Sequence, residues 1–139
     1  MLFRSAKSID LKTPSLSARL NALEKLQNCG HPVGIHLDPI IWTPNWYDEY
    51  NSLVEKMSEK IKLNKVAYIS LGVVRFTPDV YVQFKKNYPN SSIHKGELSR
   101  SFDNKIRYNK PLRVKMLNNV KVLLTKKGVP GERIYLCME

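Results

Sequence analysis

Two cysteines, Cys29 and Cys137, are too few to form a disulfide framework, and their scarcity suits a reducing, cytoplasmic compartment. Acidic residues are scarce as well. Only 12 Asp and Glu stand against 23 Lys and Arg, a formal net charge of +11 that favours a polyanionic partner. The same composition also describes a soluble basic protein whose lysines simply face water. No apolar run approaches bilayer length, and "MLFRSAKSID" is too short and polar for a signal peptide, so no membrane partner is expected. Low-complexity tracts and linkers are missing too. With ordinary apolar and charged fractions, 139 residues predict one folded domain rather than a disordered chain.

What is present alternates between helical and strand-like stretches. Thr13-Pro14 predicts a helix start, Leu16, Leu20, Leu23 and Leu26 recur at helical spacing, and Gly30 is a natural stop. A strand, Pro32–Asp38, follows. Asn45 can cap a second helix carrying Trp46, Tyr50, Leu53, Met57 and Ile61 on one face. A second strand covers Lys65–Val74, and Thr77-Pro78 opens a third helix running to about Asn87. Residues 90–110 break the rhythm and predict a short hairpin, Ile93–Leu98 against Lys105–Tyr108. Pro111 starts a last helix with Leu112, Met116, Val120, Leu123 and Leu124 inward and Gly128 as its stop, before a final strand, Glu132–Glu139. Such alternation argues for a parallel sheet covered by helices, either an open doubly wound sheet or an arc of a barrel. With three visible strands and no covering element at either end, residues 1–139 read as a single partial domain of something larger.

Strand side chains alternate between faces. In the first strand Gly34, His36 and Asp38 oppose Ile35 and Leu37. In the second, Tyr68, Ser70 and Gly72 oppose Ile69 and Leu71. In the third, Tyr135, Cys137 and Glu139 oppose Ile134, Leu136 and Met138. Helices would cover the greasy faces, leaving the polar ones toward a cleft or barrel interior, with Asp38 and Glu139 at strand ends where βα folds place binding groups. Buried His and Asp that merely satisfy each other's hydrogen bonds would give the same pattern. A zinc site from Cys29, His31 and His36 is a weaker alternative, because a helix-to-strand turn separates them. From Lys85 to Lys115, nine basic residues (Lys85, Lys86, Lys95, Arg100, Lys105, Arg107, Lys110, Arg113, Lys115) face two acids, Glu97 and Asp103, a local +7 interleaved with Phe102 and Tyr108. Backbone contact and base stacking need that combination.

The runs "TPSLSARLNALEKLQNCGHPVGIHLDPII", "ISLGVVRFTPDV", "KNYPNSSIHKGE", "DNKIRYNKPLRVKM" and "IYLCME" occur in an order and spacing that resembles the later half of the barrel in spore photoproduct lyases and related radical S-adenosylmethionine proteins. The resemblance implies an α/β fold, the later portion of an incomplete (β/α) TIM-type barrel with parallel strands, plus a short basic hairpin or loop insertion. In the full-length parent it implies S-adenosylmethionine and a [4Fe–4S] cluster acting on thymine-derived lesions, with damaged DNA and the missing N-terminal half of the barrel as partners. The family's cluster motif, C-x3-C-x2-C, has no counterpart here, because three thiolates at that spacing are needed and neither cysteine fits. This chain alone is therefore expected to be inactive, to hold no cofactor and to supply no catalytic residue, and Met1 is expected to be an artificial, misassigned or relic start. The resemblance places Asp38 and Arg75 at the barrel mouth, with His36 and Ser70 lining the interior below them, as the cofactor-binding set. It places Lys105, Arg107, Tyr108, Lys110 and Arg113 against the DNA backbone. The run around "KIRY" departs from the lyases, which have a more aromatic- and glycine-rich segment. Alternatives are a stand-alone basic α/β nucleic-acid-binding module and a small α/β enzyme using His36 and Asp38.

Overall fold

A computed structural model describes residues 12–137, so the expectations for Met138, Glu139 and the first ten residues lie outside the described residues. The first helix, α1 (Leu16–Asn28), starts later than Thr13-Pro14 predicts. Its cap is Ser15, whose hydroxyl accepts the Ala18 amide at 3.2 Å. Thr and Ser are both capping types, and the one whose oxygen reaches an orphan first-turn amide sets the boundary. Gly30 ends the helix as expected, at φ +81, and the amides of Gly30 and His31 return to the carbonyls of Gln27 and Leu26 in a Schellman arrangement. Leu20 is buried, but Leu26 is 44% exposed, so the inward stripe is shorter than its spacing suggests. The side-chain amide of Gln27 ties α1 to the chain just after the next helix: it donates to the Lys62 carbonyl at 3.1 Å and accepts the Lys62 amide at 2.8 Å.

Strand β1 (Gly34–Ile40) runs past Asp38 instead of stopping there. Its pairing steps from Leu37 opposite Leu71 to Ile40 opposite Val73, three residues against two, so Asp38-Pro39 forms a bulge where Pro39 has no amide to give the ladder. Helix α2 (Trp46–Lys60) buries Trp46, Tyr50, Leu53 and Met57, as their spacing predicts. Asn45 holds the cap position but makes no side-chain capping bond. Strand β2 (Tyr68–Val73) is shorter than predicted because Leu63–Lys65 is a 3-10 turn. The two-residue β3 (Arg75–Phe76) leads into α3 (Pro78–Asn87). A further 3-10 turn, Ser92–Lys95, replaces the first half of the predicted hairpin strand Ile93–Leu98. The hairpin itself is β4 (Leu98–Arg100) and β5 (Ile106–Tyr108). Helix α4 (Lys110–Lys126) is capped by Asn109, whose Oδ1 accepts the Leu112 amide at 2.9 Å. It stops at Gly128 (φ +94) in a second Schellman arrangement, Gly128 to Thr125 and Val129 to Leu124. Strand β6 (Ile134–Leu136) follows.

The parallel α/β expectation holds: β1, β2 and β6 form a parallel sheet in the order β1-β2-β6. Strands β3, β5 and β4 form a second, antiparallel sheet with β5 central and Arg75 opposite Arg107. Helices α2 and α4 pack together, and Ile35, Leu37, Ile69, Leu71 and Ile134 share one buried cluster with their inward residues. Burying each such side chain stabilises the fold by roughly 1.5–3 kcal/mol relative to leaving it in water. Leu136, expected on the same greasy face, is instead 40% exposed because β6 is an outer strand.

Candidate functional site

The face of the parallel sheet opposite the apolar cluster is polar and in register. His36 pairs with Ser70, and Ser70 with Tyr135, so one row crosses all three strands. His36 Nδ1 and Ser70 Oγ share a hydrogen bond at 2.5 Å, while His36 Nε2 and the Tyr68 hydroxyl share one at 3.2 Å. The Tyr68 ring meets His36 and Tyr135 edge-on, at 5.5 and 6.3 Å between centroids. Gly34 makes this possible, because a Cβ there would fall 2.5 Å from the Tyr68 ring. His36 and Tyr135 stay exposed while Ser70 is buried. This row lies toward the N-terminal ends of the strands. At the other end the Asp38 carboxylate sits over Gly72, where a Cβ would come within 2.6 Å of it. Asp38 is exposed at that rim, just before the bulge. Arg75 is half-buried two residues past the end of β2, and among the described residues its guanidinium has no hydrogen-bond or ion-pair partner. The four residues expected around a cofactor thus divide into two levels, His36 with Ser70 below and Asp38 above, with Arg75 on the adjoining antiparallel sheet.

The five residues expected at DNA divide too. Lys105 is half-buried and Lys110 exposed, but Arg107, Tyr108 and Arg113 are 5%, 0% and 6% exposed. Arg107 Nη2 donates to Asp103 at 2.9 Å and lies 3.4 Å from the Ser101 hydroxyl, bracing the hairpin turn in which Asn104 takes φ +66. Arg113 Nη1 donates to the Tyr108 carbonyl at 2.7 Å. The Tyr108 hydroxyl accepts the Trp42 amide at 3.0 Å, and the Tyr50 hydroxyl accepts the neighbouring Ile41 amide at 3.1 Å. Two buried phenols therefore hold successive amides of the loop after β1. Burial pushes Tyr108 up to about 12, with the Trp42 hydrogen bond opposing, and pushes Tyr50 up further. Arg107, Tyr108 and Arg113 thus support the hairpin rather than forming its outer surface. That surface belongs to Arg100, Lys105 and Lys110, with Phe102 at the tip 99% exposed.

Strand alternation puts Tyr68 on the polar face with Ser70 and Gly72 but does not mark it as a site residue, and nothing in the sequence marks Tyr50. Among the described residues no group of three His, Cys, Asp or Glu could hold a metal ion, and Cys29 and His31 lie exposed beyond the end of α1. No helix among them is long and apolar enough to cross a membrane. Beside β1, an outer strand, a cleft of about 350 Å³ opens between α1 and α2, lined by Leu16, Leu20, Leu23, Ile35, Leu53 and Met57 among others.

A protein-family profile described as Spore photoproduct lyase matches residues 5–122. The curated spore photoproduct lyases of Clostridium acetobutylicum and Bacillus subtilis are each 26% identical, over 71% and 69% of this chain. The chain spans 29% of the length of either relative. A solved spore photoproduct lyase variant with bound AdoMet and dinucleoside spore photoproduct superposes with a TM-score of 0.72 at 19% identity, covering 90% of this chain and 38% of that one. A spore photoproduct lyase complexed with dinucleoside spore photoproduct gives 0.69 at 18% identity, with 91% and 38% covered. At such identity the structural likeness establishes the fold.

Proposed function

The chain belongs to the spore photoproduct lyase family, and from that premise we propose that it forms the later portion of an incomplete (β/α) barrel in a radical S-adenosylmethionine enzyme repairing thymine-derived DNA lesions. The observation that carries the proposal is the sheet β1-β2-β6, parallel, apolar on its helix-covered face and polar on the other, with Asp38 at its C-terminal rim. In barrels of this kind helices lie outside, and functional groups gather at the C-terminal ends of the strands. The leucine-lined cleft and the edge of β1 that is unpaired among the described residues would receive the preceding strand and helix from the N-terminal half of the barrel.

Two cysteines cannot supply three thiolates, so no residue of this chain fits a [4Fe–4S] cluster, which belongs to the N-terminal half. S-adenosylmethionine fits better: Asp38 can accept hydrogen bonds from a ribose or ammonium group, and Arg75 offers an unpaired fork to a carboxylate. When bound, S-adenosylmethionine supplies the radical chemistry. This chain's share is to position it. His36, Ser70 and Tyr68 would close the cavity floor below. Arg100, Lys105 and Lys110 would meet the DNA backbone, with Phe102 against a base.

Titration calorimetry should show no S-adenosylmethionine binding by the chain alone, and binding once it is paired with an N-terminal barrel portion bearing C-x3-C-x2-C from a family member. In that complex Asp38→Ala and Gly72→Ala should each weaken binding about tenfold, or about 1.4 kcal/mol. The glycine change acts by displacing the carboxylate and should leave the urea midpoint nearly unchanged, since Asp38 is exposed and can swing aside. A chain that ignores the N-terminal portion and binds DNA as a monodisperse protein would instead be a free-standing basic α/β nucleic-acid-binding module.

A further inference from the structure

Helix α4 differs from the other three in charge. It carries Lys110, Arg113, Lys115, Lys121 and Lys126 and no acid, whereas α1 has Glu24, α2 has Asp48, Glu49, Glu55 and Glu59, and α3 has Asp79. Arg113 points inward. At roughly 100° per residue the other four fall into two rows, Lys110 with Lys121 and Lys115 with Lys126. Between the rows runs a strip of Val114, Asn118, Val122 and Thr125. Both valines are exposed, 38% and 49%, and a shallow groove of about 300 Å³ lies along the later part of the strip, lined by Asn118, Val122 and Thr125 with Lys121 and Lys126. Among the described residues none of these four lysines has an acidic partner, while Lys60 pairs with Glu24 and Lys127 with Glu55. An isolated cationic face of this kind repels itself, and a polyanion relieves that repulsion.

We propose that the outer face of α4 is a second DNA contact, a track for the phosphate backbone of duplex flanking the lesion. The track rests on the DNA reading above but lies outside the barrel mouth. Lys110 opens the helix two residues after β5, at the base of the hairpin whose tip end carries Arg100 and Lys105, so the rows start on the same stretch of chain as that surface, with Glu97 beside the Asn109 cap between them. From Lys110 to Lys126 the helix rises about 24 Å, the axial length of roughly seven base pairs at about 3.4 Å each. The lysine rows would flank one sugar–phosphate strand, with Asn118 offering a hydrogen bond between them and the valine methyls against deoxyribose.

Fluorescence anisotropy of the full chain on labelled duplexes, titrated with potassium chloride, tests this. Combining Lys115→Gln, Lys121→Gln and Lys126→Gln should lower the slope of log K against log salt by about 2 to 3 on a duplex of about 24 base pairs, and much less on one of about 6. The matching Lys→Arg triple variant should keep the slope, which separates lost charge from lost fold. An unchanged slope in the glutamine variant overturns the track. If Arg100→Gln with Lys105→Gln still lowers the slope in that case, the DNA reading survives alone. No binding by the wild-type chain at low salt sinks both. Equal, lysine-dependent binding to polyglutamate, with no preference for duplex, would assign the face to an acidic protein instead.

Discussion

Truncating Tyr108 to alanine should cost about 3–5 kcal/mol of folding stability, a large share of the roughly 5–15 kcal/mol typical of a whole domain. Tyr108 is fully buried, and its ring fills the space that Gly96 leaves, where a Cβ would come within 2.3 Å of it. The loss would reach beyond one cavity. The Tyr108 hydroxyl is the partner of the Trp42 amide, and the β5–α4 junction is clasped by Arg113 on the Tyr108 carbonyl. Tyr108→Phe keeps the ring but leaves the Trp42 amide without its acceptor, at a cost of about 1–3 kcal/mol. Urea unfolding of both variants checks the pair. A loss below about 1 kcal/mol for Tyr108→Ala would mean that the hairpin is not anchored to the β1 loop through this residue.

The same residue shows where sequence reading succeeds and where it stops. Short-range periodicity was legible. Ile35 and Leu37 alternate with His36 and Asp38, a period-two pattern with one physical solution, and the structure puts the first pair in the core and leaves the second exposed. Gly30 and Gly128 were legible as helix stops because both sit at positive φ, which few other residues tolerate. Thr13 and Ser15, two residues apart, both satisfy the cap pattern, and only geometry selects Ser15. Ile93 falls in a stretch with no helical period that predicts a hairpin strand, yet it is buried at 4% in a 3-10 turn.

Arg107, Tyr108 and Arg113 lay in a basic stretch that composition alone puts at the surface. Their partners explain the difference. Asp103 is close in sequence, but the amide that engages Tyr108 comes from Trp42, 66 residues away, and no local pattern announces it. The inward Arg and Tyr set the hairpin's shape, and that shape decides which cations are left outside. The polar sheet face follows a similar logic: the residue types were visible in the strands, but the division into a floor around His36 and a rim at Asp38 depends on register with β2.

Above about pH 10 the two phenols should make the protein progressively easier to unfold. In the unfolded chain tyrosine loses its proton near pH 10, whereas burial holds Tyr108 protonated up to about 12 and Tyr50 further still. Between those values the unfolded chain binds fewer protons than the folded one. The slope of unfolding free energy against pH is then negative, so stability is complete below about pH 10 and falls as pH rises toward 12. For Tyr108, two pH units of difference correspond to about 3 kcal/mol, and Tyr50 adds in the same direction. The many lysines titrate in the same range, and losing their charge relieves repulsion in a chain of net +11, which partly masks the effect. Comparison with Tyr108→Phe removes that background, because the variant keeps every lysine. At pH 8 the wild type should be the more stable, and by pH 12 its advantage should have vanished. An advantage constant from pH 8 to 12 would show that Tyr108 ionises as it does in water. The Trp42 amide, and the loop beside Asp38 with it, would then be held by something other than a dry phenol.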